Sequence, residues 1–250
     1  MELGLSGRTV LVTGATGGIG QATARAFATA GARVAVAYRS GRENAEELAA
    51  SLGVPAMAVR YALDEQDSPA EAVAAVEERF GGIDVLVANA VRWGTRRGPD
   101  TRFDEVAARD WAPVIAENLT PTIRTAQLVL PGMRRRSWGR IALISSHVAT
   151  DGARGQEFYG AAKAGLHGFA RSLAFDAGPD DVLVNVVSPG LTATERVLSG
   201  LPAPVREREI GLTPLGRLCT PEEVAHVIVF LCSAANGGVT GETVTVAGGR

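Results

Sequence analysis

The sequence predicts a doubly wound α/β fold, one domain over residues 1–250 with helices on both faces of a seven-stranded parallel sheet. Three observations predict it. Short apolar runs alternate with helical stretches along the whole chain. Those runs lack in/out alternation, as strands covered on both faces should. No linker or change in composition divides the chain, and 250 residues are ample for one large core.

The elements follow in order. RTVLVT (8–13) reads as a buried strand, and GGIGQATARAFATAG as a helix stopped by Gly31. RVAVAY (33–38) is the second strand, followed by a helix over 43–52, and AMAVRY (56–61) is the third. Ser68, Pro69 and Glu71 supply a helix cap, a first-turn proline and an acid; Gly81-Gly82 ends that helix. IDVLVAN (83–89) is the fourth strand, with an irregular stretch and a helix through 104–130 after it. IALISS (141–146) is the fifth, a helix covers 156–177, and VLVNVVS (182–188) is the sixth. Thr220-Pro221-Glu222-Glu223 caps a helix reaching about 234, and ETVTVAG (242–248) closes the sheet.

The bulk properties narrow the function classes. A net charge of −2 gives no electrostatic case for nucleic acid or an anionic membrane. Arginines cluster at 92–97 and 133–140, either as solvated surface or as docking patches for an acidic partner. Cys219 and Cys232 have no metal-ligand pattern around them and fit buried thiols of a reducing compartment. No signal peptide or membrane-length apolar run is visible, so a cytoplasmic protein is expected.

Between the first strand and helix lies TGATGGIG. Gly14, Gly18 and Gly20 there permit a tight turn and close backbone approach to a pyrophosphate, which the helix N-terminus favours. The second strand ends Tyr38-Arg39-Ser40, where an acid for a ribose 2′-hydroxyl would mark NAD. Arg39 instead fits a 2′-phosphate, which favours NADP(H); an ordinary surface arginine is the alternative.

Lys163 is the only lysine; the other 24 basic side chains, histidines aside, are arginine. It lies four residues after Tyr159, on the same helical face. A tyrosine with a reference pKa near ~10 is a poor base at neutral pH, and a neighbouring ammonium would lower that value. Lysine also reaches a ribose hydroxyl better than arginine's rigid fork does. Ser146 ends the fifth strand at the edge where such sheets bind ligands, able to donate to a carbonyl oxygen.

TGATGGIG, Asn89 and Ala90 in ANA, Asn118 in ENLT, Ser146, Tyr159-Gly-Ala-Ala-Lys163 and SPGLTAT (188–194) together resemble the short-chain dehydrogenase/reductase family over essentially the whole chain. The resemblance implies a Rossmann-type fold and an NADPH/NADP cofactor. Tyr159 would be the acid/base, and Lys163 would tune it and hold the nicotinamide ribose. Ser146 would orient the carbonyl, and Asn118 would hold a water of a proton relay. The cofactor would run along Gly14, Thr16, Gly17, Gly18, Ile19 and Gly20, and past Arg39, Ser40, Ala62, Leu63, Asn89 and Ala90. It would end at Pro189, Gly190 and Thr192. A homotetramer is the family's common assembly, and no metal is implied.

Departures from the family pattern bear on the substrate. Val91 stands where a glycine is usual, and Ala62 lacks the side chain that commonly meets the adenine. RWGTRRGPDTRF (92–103) is long, and Trp93 in it is either a loop anchor or a substrate wall. Asp180-Asp181 is acidic where a base often docks a carrier protein, which disfavours that partner. Residues 191–212 read as a substrate lid with Leu191, Val197, Leu198 and Leu201 available to an apolar ligand. Val91, Trp93, Ser146, Leu191, Thr192 and Leu198 are the expected substrate contacts. His147 is expected on the opposite face from Ser146 by strand alternation; His167 and His226 read as packed or solvated.

These features favour reduction of a small-molecule polycyclic ketone, by resemblance to ketoreductases that tailor aromatic polyketides such as angucyclinones. The alternative is a 3-oxoacyl-carrier-protein reductase. A non-catalytic cofactor-binding sensor is the third reading, opposed by the complete set of four site residues.

Overall fold

A computed structural model describes residues 2–94 and 96–250. Its strands are β1 (Thr9–Val12), β2 (Arg33–Tyr38), β3 (Ala56–Arg60), β4 (Val85–Ala88), β5 (Gly139–Ile144), β6 (Val182–Pro189) and β7 (Thr243–Val246). They form one sheet in the order β3-β2-β1-β4-β5-β6-β7 with every pairing parallel. The helices are α1 (Gly18–Thr29), α2 (Arg42–Ser51), α3 (Ser68–Phe80), α4 (Ala108–Arg135), α5 (Val148–Asp151), α6 (Glu157–Ala177), α7 (Glu195–Gly200), α8 (Ala203–Gly211) and α9 (Pro221–Leu231). The strand order reverses between β1 and β4, which opens a crevice at their C-terminal ends.

Alternate residues of β1 to β6 feed two cores, whereas β7 gives Val244 and Val246 to one of them and exposes Thr243 and Thr245. Leu11, Leu86, Ile141 and Val184 pack with Val76, Met133 and Leu166 from α3, α4 and α6. Val10, Val12, Val34 and Val87 face the other way, onto Phe27 of α1, Leu48 of α2 and Ile228 of α9. Each such side chain contributes about 1.5–3 kcal/mol by leaving water, so both faces resist slippage.

Most elements shift by one to three residues at an end, and three differences go further. The fifth strand ends at Ile144, so Ser145, Ser146 and His147 lie beyond it and His147 leads into α5. Strand alternation therefore does not apply there, and His147 lines the same cavity as Ser146. The helix expected over 104–130 starts at Ala108 and runs to Arg135, despite Pro113, Pro121 and Pro131 within it. Ser68 does not cap α3. Asp67 takes that position, and Ser68 Oγ accepts from the Ala62 N–H at 2.8 Å. The predicted reciprocal cap of α9 forms: Thr220 Oγ1 accepts from Glu223 N at 3.3 Å, and Glu223 accepts from Thr220 N at 2.9 Å.

Among the described residues no helix is long and apolar enough to cross a membrane. None of their His, Cys, Asp and Glu side chains gather in a group of three or more that could hold a metal.

Candidate active site

The crevice begins with the turn after β1. Gly14 has φ +62°, and a methyl group on it would lie 2.8 Å from Ala90 Cα. Thr13, which the sequence reading passed over, fastens the opposite strand: its Oγ1 accepts from Asn89 N and Ala90 N, both at 2.9 Å. Asn89 Nδ2 returns bonds to the Thr13 and Gly14 carbonyls at 3.0 and 3.1 Å. Asn89 thus holds the glycine turn closed rather than reaching out from it.

Helix α1 starts at Gly18 with no side-chain cap. A methyl group on Gly18 would meet the Thr194 side chain at 2.6 Å, whereas one on Gly17 would find only Gly14 O, at 3.5 Å. The protein therefore leaves space above Gly17, beside uncapped first-turn N–H groups. That cradle suits a pyrophosphate. Thr16 offers its carbonyl to Gln21 at 2.9 Å, and Ile19 lines the cavity beyond the loop.

The cavity holds about 470 Å³ and gathers Asn89, Val91, Trp93, Ser146, Tyr159, Lys163, Pro189, Gly190, Leu191 and Thr192 from distant parts of the sequence. Three expected cofactor contacts at its far end, Pro189, Gly190 and Thr192, therefore lie together beside the Tyr159–Lys163 face. Ser146 Oγ accepts from Val148 N at 3.3 Å, which leaves its own proton to donate. Tyr159 is buried, and burial pushes its phenol up to about 12, partly offset by the Ser146 hydroxyl. Lys163 is 3% exposed, with Nζ donating to Ile144 O at 2.9 Å and lying 5.8 Å from the Tyr159 ring centre.

Burial acts on both groups. One of the three ammonium protons goes to a strand-end carbonyl, and desolvation is the largest influence on the phenol. The same burial brings Lys163 down to about 8, because a charge deep in the protein is costly. Ser145, also missed in the sequence, donates to Lys163 O at 3.1 Å and meets His167 Nε2 at 2.8 Å. It ties the strand end to the turn of α6 that carries Lys163.

Asn118 is buried at the start of the 92–103 segment. Its Nδ2 donates to Arg92 O at 2.9 Å and Val114 O at 2.8 Å, while Oδ1 accepts from Arg92 N at 3.1 Å. One amide proton and the amide oxygen thus hold the Arg92 backbone against α4, while the other proton stays within the helix.

Trp93 is 57% exposed and stacks on the Tyr159 ring with centroids 5.5 Å apart and planes 23° from parallel. Arg196 of α7 lies 5.3 Å over the indole. Trp93 is therefore a cavity wall and the meeting point of loop and lid. The lid turns Val197 and Leu201 inward, while Leu198 is 52% exposed and lies outside the cavity lining. Leu198 as a substrate contact is thus corrected by helical phase: residues four apart share a face and their neighbour does not.

Arg39, Ser40, Ala62 and Leu63 sit past the ends of β2 and β3, outside this cavity. The Ala62 N–H is already taken by Ser68. The acidic turn also reads differently in three dimensions. Arg134 pairs with Asp176 at 2.5 Å and Asp180 at 3.0 Å, and Asp181 lies 3.6 Å from Arg140. Its charge is largely compensated, so the expected repulsion of an acidic carrier loses its basis, and Arg134 is equally engaged.

A profile of the family described as enoyl-(acyl carrier protein) reductase matches residues 14–250. The chain belongs to the short-chain dehydrogenase/reductase family. Within it, this short-chain dehydrogenase/reductase is 41% identical to a 3-oxoacyl-[acyl-carrier-protein] reductase of Aquifex aeolicus, over 100% of this chain and 99% of the relative. It is 38% identical to the enzyme of the same name from Pseudomonas aeruginosa, over 99% and 98% of the two chains. An acetoacetyl-CoA reductase of Shinella zoogloeoides is 37% identical over 97% and 98%. These names do not carry the aromatic-polyketide expectation; they match the alternative reading.

Proposed function

We propose that this protein reduces a 3-oxoacyl thioester to the 3-hydroxyacyl thioester with NADPH. The observation that carries the reading is the convergence of Ser146, Tyr159 and Lys163 on one cavity beside the glycine cradle. Full-length similarity to reductases of 3-oxoacyl-carrier and acetoacetyl-CoA substrates supports the thioester.

NADPH, when bound, supplies the hydride for the carbonyl carbon. Ser146 donates to the carbonyl oxygen and fixes its position. Tyr159 gives that oxygen its proton, and the resulting phenolate regains one from solvent. The phenol carries its proton at neutral pH, as a proton donor must. Lys163 supplies positive charge next to the phenol and a donor for the ribose. Val91, Trp93, Leu191, Val197 and Leu201 give the acyl group an apolar wall and exclude water.

Lys163 makes the pH dependence specific. Its ammonium is present below about 8 and lost above. We expect kcat/KM for reduction to fall as pH rises through that value. A Lys163→Met variant should be slower throughout and lack the inflection; an unchanged profile in that variant would remove the charge from the mechanism.

A second reading, reduction of a fused-ring ketone, is favoured by the exposed indole of Trp93, a flat surface stacked over Tyr159. NADPH oxidation with acetoacetyl thioesters, carrier-bound and CoA-bound, against bicyclic and polycyclic ketones separates the two. The thioesters should lead by about tenfold or more in kcat/KM, equivalent to ~1.4 kcal/mol of transition-state preference. A preference of that size for the fused rings would reverse the assignment. For the assembly we propose the family's homotetramer, supported by Phe175, 84% exposed on the long helix α6.

A further inference from the structure

The ends of β2 and β3 lie side by side, with Tyr38 opposite Arg60. Just beyond them Arg39 Nη2 meets Asp64 Oδ2 at 3.1 Å, with side chains 64% and 38% exposed. The acid usual for a ribose 2′-hydroxyl is missing from the end of β2. A carboxylate nevertheless reaches the guanidinium, from the β3–α3 connection. The neighbouring Glu65 has a different partner: both its oxygens bind Arg60, which holds its carboxyl below the usual range. Asp64 is therefore the acid that bonds Arg39 directly, while Glu65 feels Arg39 only at longer range. Its loop is fixed by the Ser68–Ala62 bond two residues away.

We propose that Asp64 is a specificity-determining residue, an internal anion that competes with the dinucleotide 2′-phosphate for Arg39. The proposal rests on Arg39 as the 2′-phosphate site and deepens that reading. A phosphate monoester is close to a dianion at neutral pH, so it must displace Asp64 from the guanidinium and then tolerate a carboxylate nearby. A free 2′-hydroxyl meets no such repulsion, and the carboxylate can accept its proton. Asp64 thus narrows the difference between NADPH and NADH that Arg39 alone would create. The effect is limited by solvent, since an exposed ion pair is weak and screened by salt.

The test is equilibrium binding, by calorimetric titration of NADPH and of NADH into wild type, Asp64→Asn, Arg39→Ala and the double variant. Asp64 is a surface residue, and asparagine keeps its shape, so folding is not at issue. Asp64→Asn should bind NADPH roughly twofold to fivefold more tightly, with NADH unchanged or weaker. The gain should shrink at high salt and in the Arg39→Ala background. If Arg39→Ala weakens NADPH selectively while Asp64→Asn leaves it unchanged, Arg39 keeps its role and the competition is refuted. If Arg39→Ala leaves the NADPH-to-NADH ratio intact, the 2′-phosphate reading fails and the inference falls with it.

Discussion

Replacing Tyr159 with phenylalanine should lower turnover by about 10²–10⁴-fold, the usual worth of a positioned general acid. The rest of the site should survive the change. The Tyr159 ring is buried against Trp93, and phenylalanine preserves that stack. The phenol proton is the main loss, and with it the source of the proton for the alkoxide oxygen. NADPH affinity measured by titration should stay within a few-fold of wild type, because Lys163, Thr192 and the glycine cradle are untouched. Turnover within tenfold of wild type would assign the proton to another group.

Replacing Gly20 with alanine should damage fold and cofactor site together. The added methyl group would collide with the Gly14 carbonyl oxygen and lie 2.8 Å from Ala15 Cα and 3.0 Å from Asn89 Nδ2. Two of those neighbours are backbone atoms of the turn itself and cannot rotate away. Overpacking of this kind costs about 1–3 kcal/mol, or several degrees in Tm for a domain of this size. Gly17→Ala is the informative contrast. Gly17 has φ −80°, and its nearest neighbour would be 3.5 Å away, so thermal stability should be unchanged. If pyrophosphate occupies the space above it, that variant should lose NADPH binding while remaining folded. Normal NADPH binding by Gly17→Ala would move the phosphate site elsewhere.

Much of this was legible in the chain. Six apolar runs become strands of a parallel sheet buried between helices, and the seventh, TVTV at the edge, alternates with its threonines exposed. The Tyr159–Lys163 pair was visible because helical spacing is local. Errors arose where a local rule ended one or two residues early. Extending β5 to 146 made His147 obey an alternation that had stopped at Ile144. Treating the lid as a list of apolar residues included Leu198, which the phase of α7 turns outward.

Charge was the least legible property. Asp180 and Asp181 read as an acidic turn until Arg134 and Arg140, some 41 to 46 residues away in sequence, are placed against them. Lys163 read as the cation beside Tyr159, and the chain alone did not show that it also donates to Ile144 O or that burial acts on both groups.

The sequence by itself determined the strand and helix alternation, the glycine turn and the identities of Ser146, Tyr159 and Lys163, since these depend on residue type and spacing along the chain. Only the tertiary structure decided which charges are compensated, that Trp93 walls the cavity and that Asn118 bonds the Arg92 backbone. It also placed Asp64 against Arg39. These properties depend on distances between residues far apart in sequence, and both burial and Coulomb interactions act through space.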